Sequence, residues 1–217
     1  MSLEKNVEIK CPKCGNAIET VIWDSVNVTL DRELKNQILD GSFGMVTCPS
    51  CGEKTRLNYP FLYHDMEQKL MIQLVYDDKA AKNAVEEFKG FQGKTLPGAS
   101  MDDYRFRVVN GIYALKDKIE IFDAGLDDRE IEMYKLLTLP TIQGQLQSAE
   151  KIEQYFYKAS DGNKIAIIAD GRVAGEVGLS DEFMEVIRKQ YGFSDVDEMI
   201  IDRIWAIGFI SSAEKSD

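Results

Sequence analysis

The sequence predicts an α+β protein, and three observations carry that prediction. Apolar residues recur at every second position through much of 6–76, at helical spacing through most of 77–147, and at every second position again beyond 148. The motif Cys-Pro-x-Cys-Gly occurs twice, at 11–15 and 48–52, and takes up all four cysteines. Glycine-containing turn signals, "DGN" at 161–163 and "DG" at 170–171, sit where tight hairpins belong. Three segments follow: a zinc-ribbon-like four-cysteine β module with an inserted helix over 1–76, a mainly helical stretch over 77–147, and a β-meander plus helix over 148–217.

In the first segment Val26, Val28 and Leu30 alternate with Asn27 and Thr29, which is a strand period. Asp31 then caps a helix whose face is Leu30, Leu34 and Ile38, and Gly41 suits its end. "FGMVT" leads into the second cysteine pair, Leu57 and Tyr59 alternate with Arg56 and Asn58, and Pro60 ends or bends that strand. Leu70, Ile72, Leu74 and Tyr76 form a further strand.

In the second segment Ala81, Ala84, Val85 and Phe88 fit one helix face. "GFQGKTLPGAS", 90–100, reads as a loop. Phe106, Val109, Ile112, Leu115, Ile119 and Phe122 have helical spacing, although "YRFRVV" equally suits a strand. "LDDREIEMYKLLTLP" predicts a helix with acidic first-turn residues that stops near Pro140. The last segment reads as three short strands, then a helix capped by Ser180 with Phe183, Val186, Ile187 and Tyr191 on one face and Gly192 past its end. "DEMIIDRIWAIGFI" is apolar and ambiguous between helix and strand.

The net charge of −11 is concentrated late: residues 1–76 carry 8 basic and 10 acidic side chains, leaving 18 and 27 for the remainder. An acidic surface repels phosphate backbones and anionic lipid, so nucleic acid and membrane surfaces are unfavoured partners. The opening residues "MSLEKNVEIKCPKC" show no apolar targeting core, and no run approaches 18 apolar residues. A cytoplasmic location is the expectation. There thiols stay reduced, and paired CxxC motifs point to metal or redox chemistry.

Zinc prefers four tetrahedral ligands in a structural site, and thiolate is a favoured donor. Two residues between cysteines let one tight turn aim both sulfurs at one point. Pro12 and Pro49 fix φ after each first cysteine, and Gly15 and Gly52 stand where the chain needs positive φ. Their N–H groups are expected to face the sulfurs and spread the thiolate charge. Cys11, Cys14, Cys48 and Cys51 are therefore the candidate ligands of a structural Zn²⁺. Thirty-three residues separate Cys14 from Cys48, a gap that the strand and helix over 26–41 fill. Thiol redox catalysis competes, because "CPKC" and "CPSC" are similar to the Cys-Pro-x-Cys of glutaredoxin-like enzymes. Such enzymes place the first cysteine at a helix N-terminus, and no long helix is expected at either motif.

Other residues read more plainly. His64, the single histidine, could shuttle protons, but with four cysteines available it is expected to be a partly exposed residue near a strand end. Asp127, Asp128, Glu130 and Glu132 could do acid–base or divalent-metal chemistry, yet acidic groups in a first helical turn ordinarily complement its dipole. Trp23, Tyr59, Phe61, Tyr63 and Tyr76 could stack bases, but basic neighbours are few and packing is the expected role. "ADGRVAGEVG" lacks the spacing of a phosphate loop. No catalytic set is assigned.

The run from Cys11 to Val75, with its two CPxC pairs, resembles the CpXC family of bacterial and archaeal proteins. "IEIFDAGLDDREIEMYKL" resembles the same family, so the likeness spans roughly 9–137. The resemblance implies a metal site at the four cysteines and no particular activity. Its span implies that the ribbon and the helical segment form one compact unit. The expected function is a zinc-stabilised binding or adaptor protein with a protein partner. The alternatives are a nucleic-acid-binding zinc ribbon and a thiol oxidoreductase.

Overall fold

The computed structural model describes residues 2–91, 93–96, 99–146, 149–193 and 198–213. Gln92, Pro97 and Gly98 of the expected loop, Gln147 and Ser148 at the expected segment boundary, and Asp197 at the head of the ambiguous run lie outside the described residues. The chain divides into two compact units, residues 1–112 and 113–217.

The first unit opens with two hairpins whose turns carry the cysteines. β1 (Leu3–Lys10) pairs antiparallel with β2 (Ala17–Asn27) in the register Ile9↔Ile18 and Lys10↔Ala17. α1 (Arg32–Asp40) follows, with Leu34 and Ile38 buried and Gly41 closing it at φ 83°. Leu30, expected on that face, is 61 % exposed. It precedes the helix proper, so the i, i+4 arithmetic that placed it there does not apply. β3 (Met45–Thr47) and β4 (Lys54–Arg56) form the second hairpin, with Thr47 opposite Lys54. Pro60 separates β4 from β5 (Phe61–Asp65), which returns as β6 (Leu70–Val75).

α2 (Asp78–Lys89) begins at Asp77, whose side chain accepts the Ala80 N–H at 2.8 Å, and buries Ala84 and Phe88. After a short ribbon of β7 (Thr95–Leu96) and β8 (Ala99–Ser100), "RFRVVN" forms β9 (Arg105–Asn110). β9 lies parallel to β6, and α2 is the crossover such a pair requires. Of the two readings that "YRFRVV" allowed, the strand is the one that forms, and the helical spacing holds only from Ile112 onward. The resulting mixed sheet has the order β1-β2-β5-β6-β9, and β5 runs parallel to β2. Val26, Tyr63, Ile72 and Leu74 are fully buried in it. Phe61 and Tyr63 thus serve packing, as expected.

The second unit holds most of α3 (Ile112–Asp123), and then α4 (Asp128–Gln145). α4 does not stop at Pro140. Proline in a helix interior costs about 3 kcal/mol, but Ile142 beyond it is buried with Ile152 and Ile167, with Leu139 and Leu146 packed alongside. That burial holds the last turn. β10 (Ile152–Ala159), β11 (Gly162–Ala169) and β12 (Arg172–Gly178) make the expected meander. The second turn, Asp170-Gly171, has φ of 50° and 77°, the geometry that an Asp-Gly hairpin turn adopts. The first turn falls one residue earlier than expected, on Ser160 and Asp161, because Ala159 pairs with Gly162. α5 (Asp181–Gln190) starts at Ser180, whose Oγ accepts the Phe183 N–H at 3.2 Å. The ambiguous apolar run resolves as α6 (Arg203–Ala213). Among the described residues no helix is long and apolar enough to cross a membrane.

Candidate metal centre

Each Cys-Pro-x-Cys-Gly motif is the turn of one hairpin. In the first, Cys11 N–H donates to the Asn16 carbonyl at 2.9 Å and Gly15 N–H to the Cys11 carbonyl at 2.9 Å. The second repeats this: Cys48 N–H to Glu53 at 2.8 Å, Gly52 N–H to Cys48 at 2.9 Å. Gly15 and Gly52 have φ of 73° and 72°, which an L side chain resists. Nothing lies within 4 Å of a Cβ built on either, so the requirement is backbone conformation alone.

The two turns bring all four sulfurs within 4.8 Å of one another. The shortest approaches join the motifs: Cys11 Sγ to Cys51 Sγ at 3.6 Å and Cys14 Sγ to Cys48 Sγ at 3.7 Å. A tetrahedron of thiolates about 2.3 Å from one ion has edges of about 3.8 Å. The donor set therefore fits a single tetrahedral metal ion. Among the described residues no other group of three or more His, Cys, Asp or Glu side chains converges in this way.

Cys11 and Cys48 are buried against Ile18, with Ile9 and Val46 packed on them, while Cys14 and Cys51 are exposed. Lys13 of one turn pairs with Glu53 of the other at 3.1 Å. That hydrogen bond, with the charges of Glu53 and the nearby thiols, raises the Lys13 pKa.

The expected role of the glycine amides is corrected by this geometry. Gly15 and Gly52 N–H groups are committed to carbonyls, and other amides reach the sulfurs. The Cys14 and Lys13 N–H groups lower the Cys11 pKa against the effect of burial. At Cys48 burial opposes ionisation, but the Ser50 and Cys51 N–H groups and the Cys51 and Cys11 thiols outweigh it and bring the pKa down to about 6. At Cys51 the Glu53 N–H favours the thiolate, yet burial and the three neighbouring thiols push the pKa up to about 12. One cluster cannot hold four negative sulfurs at neutral pH without a cation, and a metal ion held by them would supply it.

The remaining sequence candidates lie elsewhere. His64 is half-buried in β5, with Nε2 3.2 Å from the Tyr104 hydroxyl, and burial lowers its pKa. Asp127 caps α4 by accepting the Arg129 N–H at 2.9 Å, and Glu130 pairs with Arg188 at 2.9 Å. Asp128 and Glu132 do not behave as solvated first-turn acids. Both are buried on Lys118 Nζ, at 3.3 and 3.2 Å, and Lys135 Nζ joins Glu132 at 3.1 Å and Asp117 at 2.7 Å. Five charged side chains thus share one buried cluster, which the sequence reading did not anticipate. A signal was present: Asp128, Ile131, Glu132 and Lys135 fall on one helical stripe, and Lys118 lies on the apolar stripe of Leu115, Ile119 and Phe122.

A family model described as "CpXC protein" matches residues 9–135, more than half of the chain. No curated protein matches, and no solved structure matches.

Proposed function

Because the chain belongs to the CpXC family and its four cysteines converge, we propose that it is a zinc-stabilised, non-catalytic binding protein with a protein partner. The observation that carries this reading is the cluster of four sulfurs within 4.8 Å. Four thiolates complete the coordination sphere of Zn²⁺ and leave no position for water or substrate, so the ion's contribution is to folding. It ties two hairpins together, of which the β3–β4 pair has only three residues per strand. Hairpins of that size are marginal alone. A zinc ribbon with α1 inserted between its two turns describes the arrangement.

Thiol oxidoreductase chemistry fits less well. A redox nucleophile needs an accessible, acidified sulfur. Here the acidified Cys48 is 1 % exposed, while the exposed Cys51 is pushed up to about 12. No helix begins at either motif.

X-ray absorption at the zinc edge of the purified protein tests the proposal. Four sulfur neighbours at about 2.3 Å are expected. A shell with one or more nitrogen or oxygen neighbours would open a coordination position and overturn the closed, structural reading.

A further inference from the structure

The second unit carries a cleft of about 460 Å³ between α3, α4, β10 and the residues that open α6. One wall is β10, an edge strand of the β10-β11-β12 sheet. Its register fixes which main-chain groups face the cleft side. Ala159 and Gly162 flank a two-residue turn and exchange hydrogen bonds, and such pairs alternate along an antiparallel ladder. Ile152, Gln154, Phe156 and Lys158 therefore turn their N–H and C=O groups away from β11.

Side chains of the same unit cover that edge on both sides of Gln154. Asp117 Oδ1 accepts the Phe156 N–H at 2.5 Å, and Glu120 accepts the Lys158 N–H at 3.3 Å. Arg203 Nη2 donates to the Ile152 carbonyl at 2.9 Å. At Gln154 the edge is left open: its main-chain N–H and C=O meet no partner among the described residues. Its side chain lines the cleft and is 6 % exposed. Nε2 donates to Thr138 Oγ1 at 3.4 Å, but the buried Oε1 has no partner. Buried polar groups are normally satisfied, and an orphan of this kind costs about 1–3 kcal/mol. One residue thus offers a donor and two acceptors at the wall of a cleft.

The cleft is acidic. Five carboxylates line it against three cations, Lys135, Lys151 and Arg203. Lys135 is held by Asp117 and Glu132, and Lys151 pairs with Glu153 at 3.0 Å, so Glu150 and Asp202 carry the surplus negative charge of the lining. The Tyr155 hydroxyl registers the same field: burial, then Glu153 and Asp117, push its pKa up to about 12.

We propose that this cleft binds a short extended peptide segment carrying a basic side chain, with the peptide backbone pairing on the open edge at Gln154. Strand-edge pairing supplies main-chain hydrogen bonds, and the acidic lining selects the side chain. Because Asp117 and Arg203 occupy the neighbouring positions, pairing is confined to one residue of the peptide, which then leaves the cleft in both directions. The site is separate from the four cysteines and stands whether or not they hold zinc.

The test is a ¹⁵N-resolved NMR titration of the full chain with the capped tripeptide acetyl-Ala-Lys-Ala-amide. Saturable shifts centred on the Gln154 amide are expected. The peptide with Glu in place of Lys should bind at least about fivefold more weakly, and the N-methylated peptide should not bind. Glu153→Lys should weaken the basic peptide by a similar factor while leaving the spectrum dispersed, because Glu153 is partly exposed. No saturable shift at Gln154 by about 10 mM peptide would overturn the proposal. So would equal shifts from butylamine alone or from the N-methylated peptide, since either would identify a simple cation site.

Discussion

Replacing Lys135 with Met tests the buried charge cluster while keeping the length of the side chain. Lys135 is 5 % exposed, and its Nζ lies 2.7 and 2.8 Å from the two oxygens of Asp117 and 3.1 Å from Glu132. Removing one member of a buried ion pair costs about 3–5 kcal/mol, because the partner is left charged without compensation. Lys118 stays within 3.2 Å of Glu132 and limits the loss, so we expect about 3 kcal/mol at pH 7.

The pH dependence separates charge from packing. In the wild type Lys135 and Lys118 outweigh burial and hold the Glu132 pKa down, so its contribution is present above the unfolded value of 4.5 and lost as pH falls through the folded value. Asp117 is shifted the other way, because burial outweighs Lys135; its contribution is present below 3.8 and lost as pH rises through the folded value. Lys135→Met removes the cation from both. Both carboxyls then hold their protons more tightly in the folded state, so the variant gains relative stability as pH falls. The deficit should be largest at pH 7 and shrink steadily towards pH 4.

Urea unfolding followed by tryptophan fluorescence reads this out. The chain has two tryptophans, Trp23 in the first unit and Trp205 in the second, so a Trp23→Phe background isolates the second unit. With m of about 1.5–2 kcal/mol/M the midpoint should fall by about 1.5–2 M urea at pH 7. A deficit below about 1 kcal/mol, or one unchanged between pH 7 and pH 4, would refute the charge argument and leave only a packing effect.

Other expectations concern the metal centre and the helix start in the second unit. Cys14→Ser should weaken metal binding by roughly 100-fold or more, given that about 10–16 kcal/mol of zinc binding is shared among four ligands; competition against a chromophoric chelator measures it. Gly52→Ala should cost about 1–2 kcal/mol by forcing an L side chain to φ 72°, without any new clash, and should speed zinc release to the same chelator. Ser180→Ala should cost about 1 kcal/mol by leaving the Phe183 N–H uncapped, measurable on the Trp205 signal.

Local chemistry made much of this molecule legible. Cys-Pro-x-Cys-Gly announces a tight turn with positive φ at the glycine, and both turns have it. Leu34 and Ile38 mark α1, Asp170-Gly171 a hairpin turn, and Ser180 the start of α5. What failed depended on distant partners. Over 105–110 strand and helix were both open, because Phe106 and Val109 continue the helical spacing of α3 while "YRFRVV" suits a strand, and parallel pairing with β6 decides for the strand. α4 outran Pro140 because Ile142 is buried against β10 and β11. The roles of Asp128 and Glu132 were misjudged because Lys118, 10 and 14 residues earlier in the chain, meets them only when α3 and α4 pack. At the cysteines the donor set was visible in the sequence, but which amides face the sulfurs was not. That detail follows from the carbonyls of Cys11 and Cys48 having already taken the glycine N–H groups.

The closed structural zinc site proposed at the four thiolates can be read out chemically. Metal content is measured together with thiol counting, on protein purified without chelator. One zinc per chain is expected, with four thiols that stay unreactive until acid or a mercurial releases the metal. No metal, with thiols that react at once or cycle with a dithiol reductant, would contradict it.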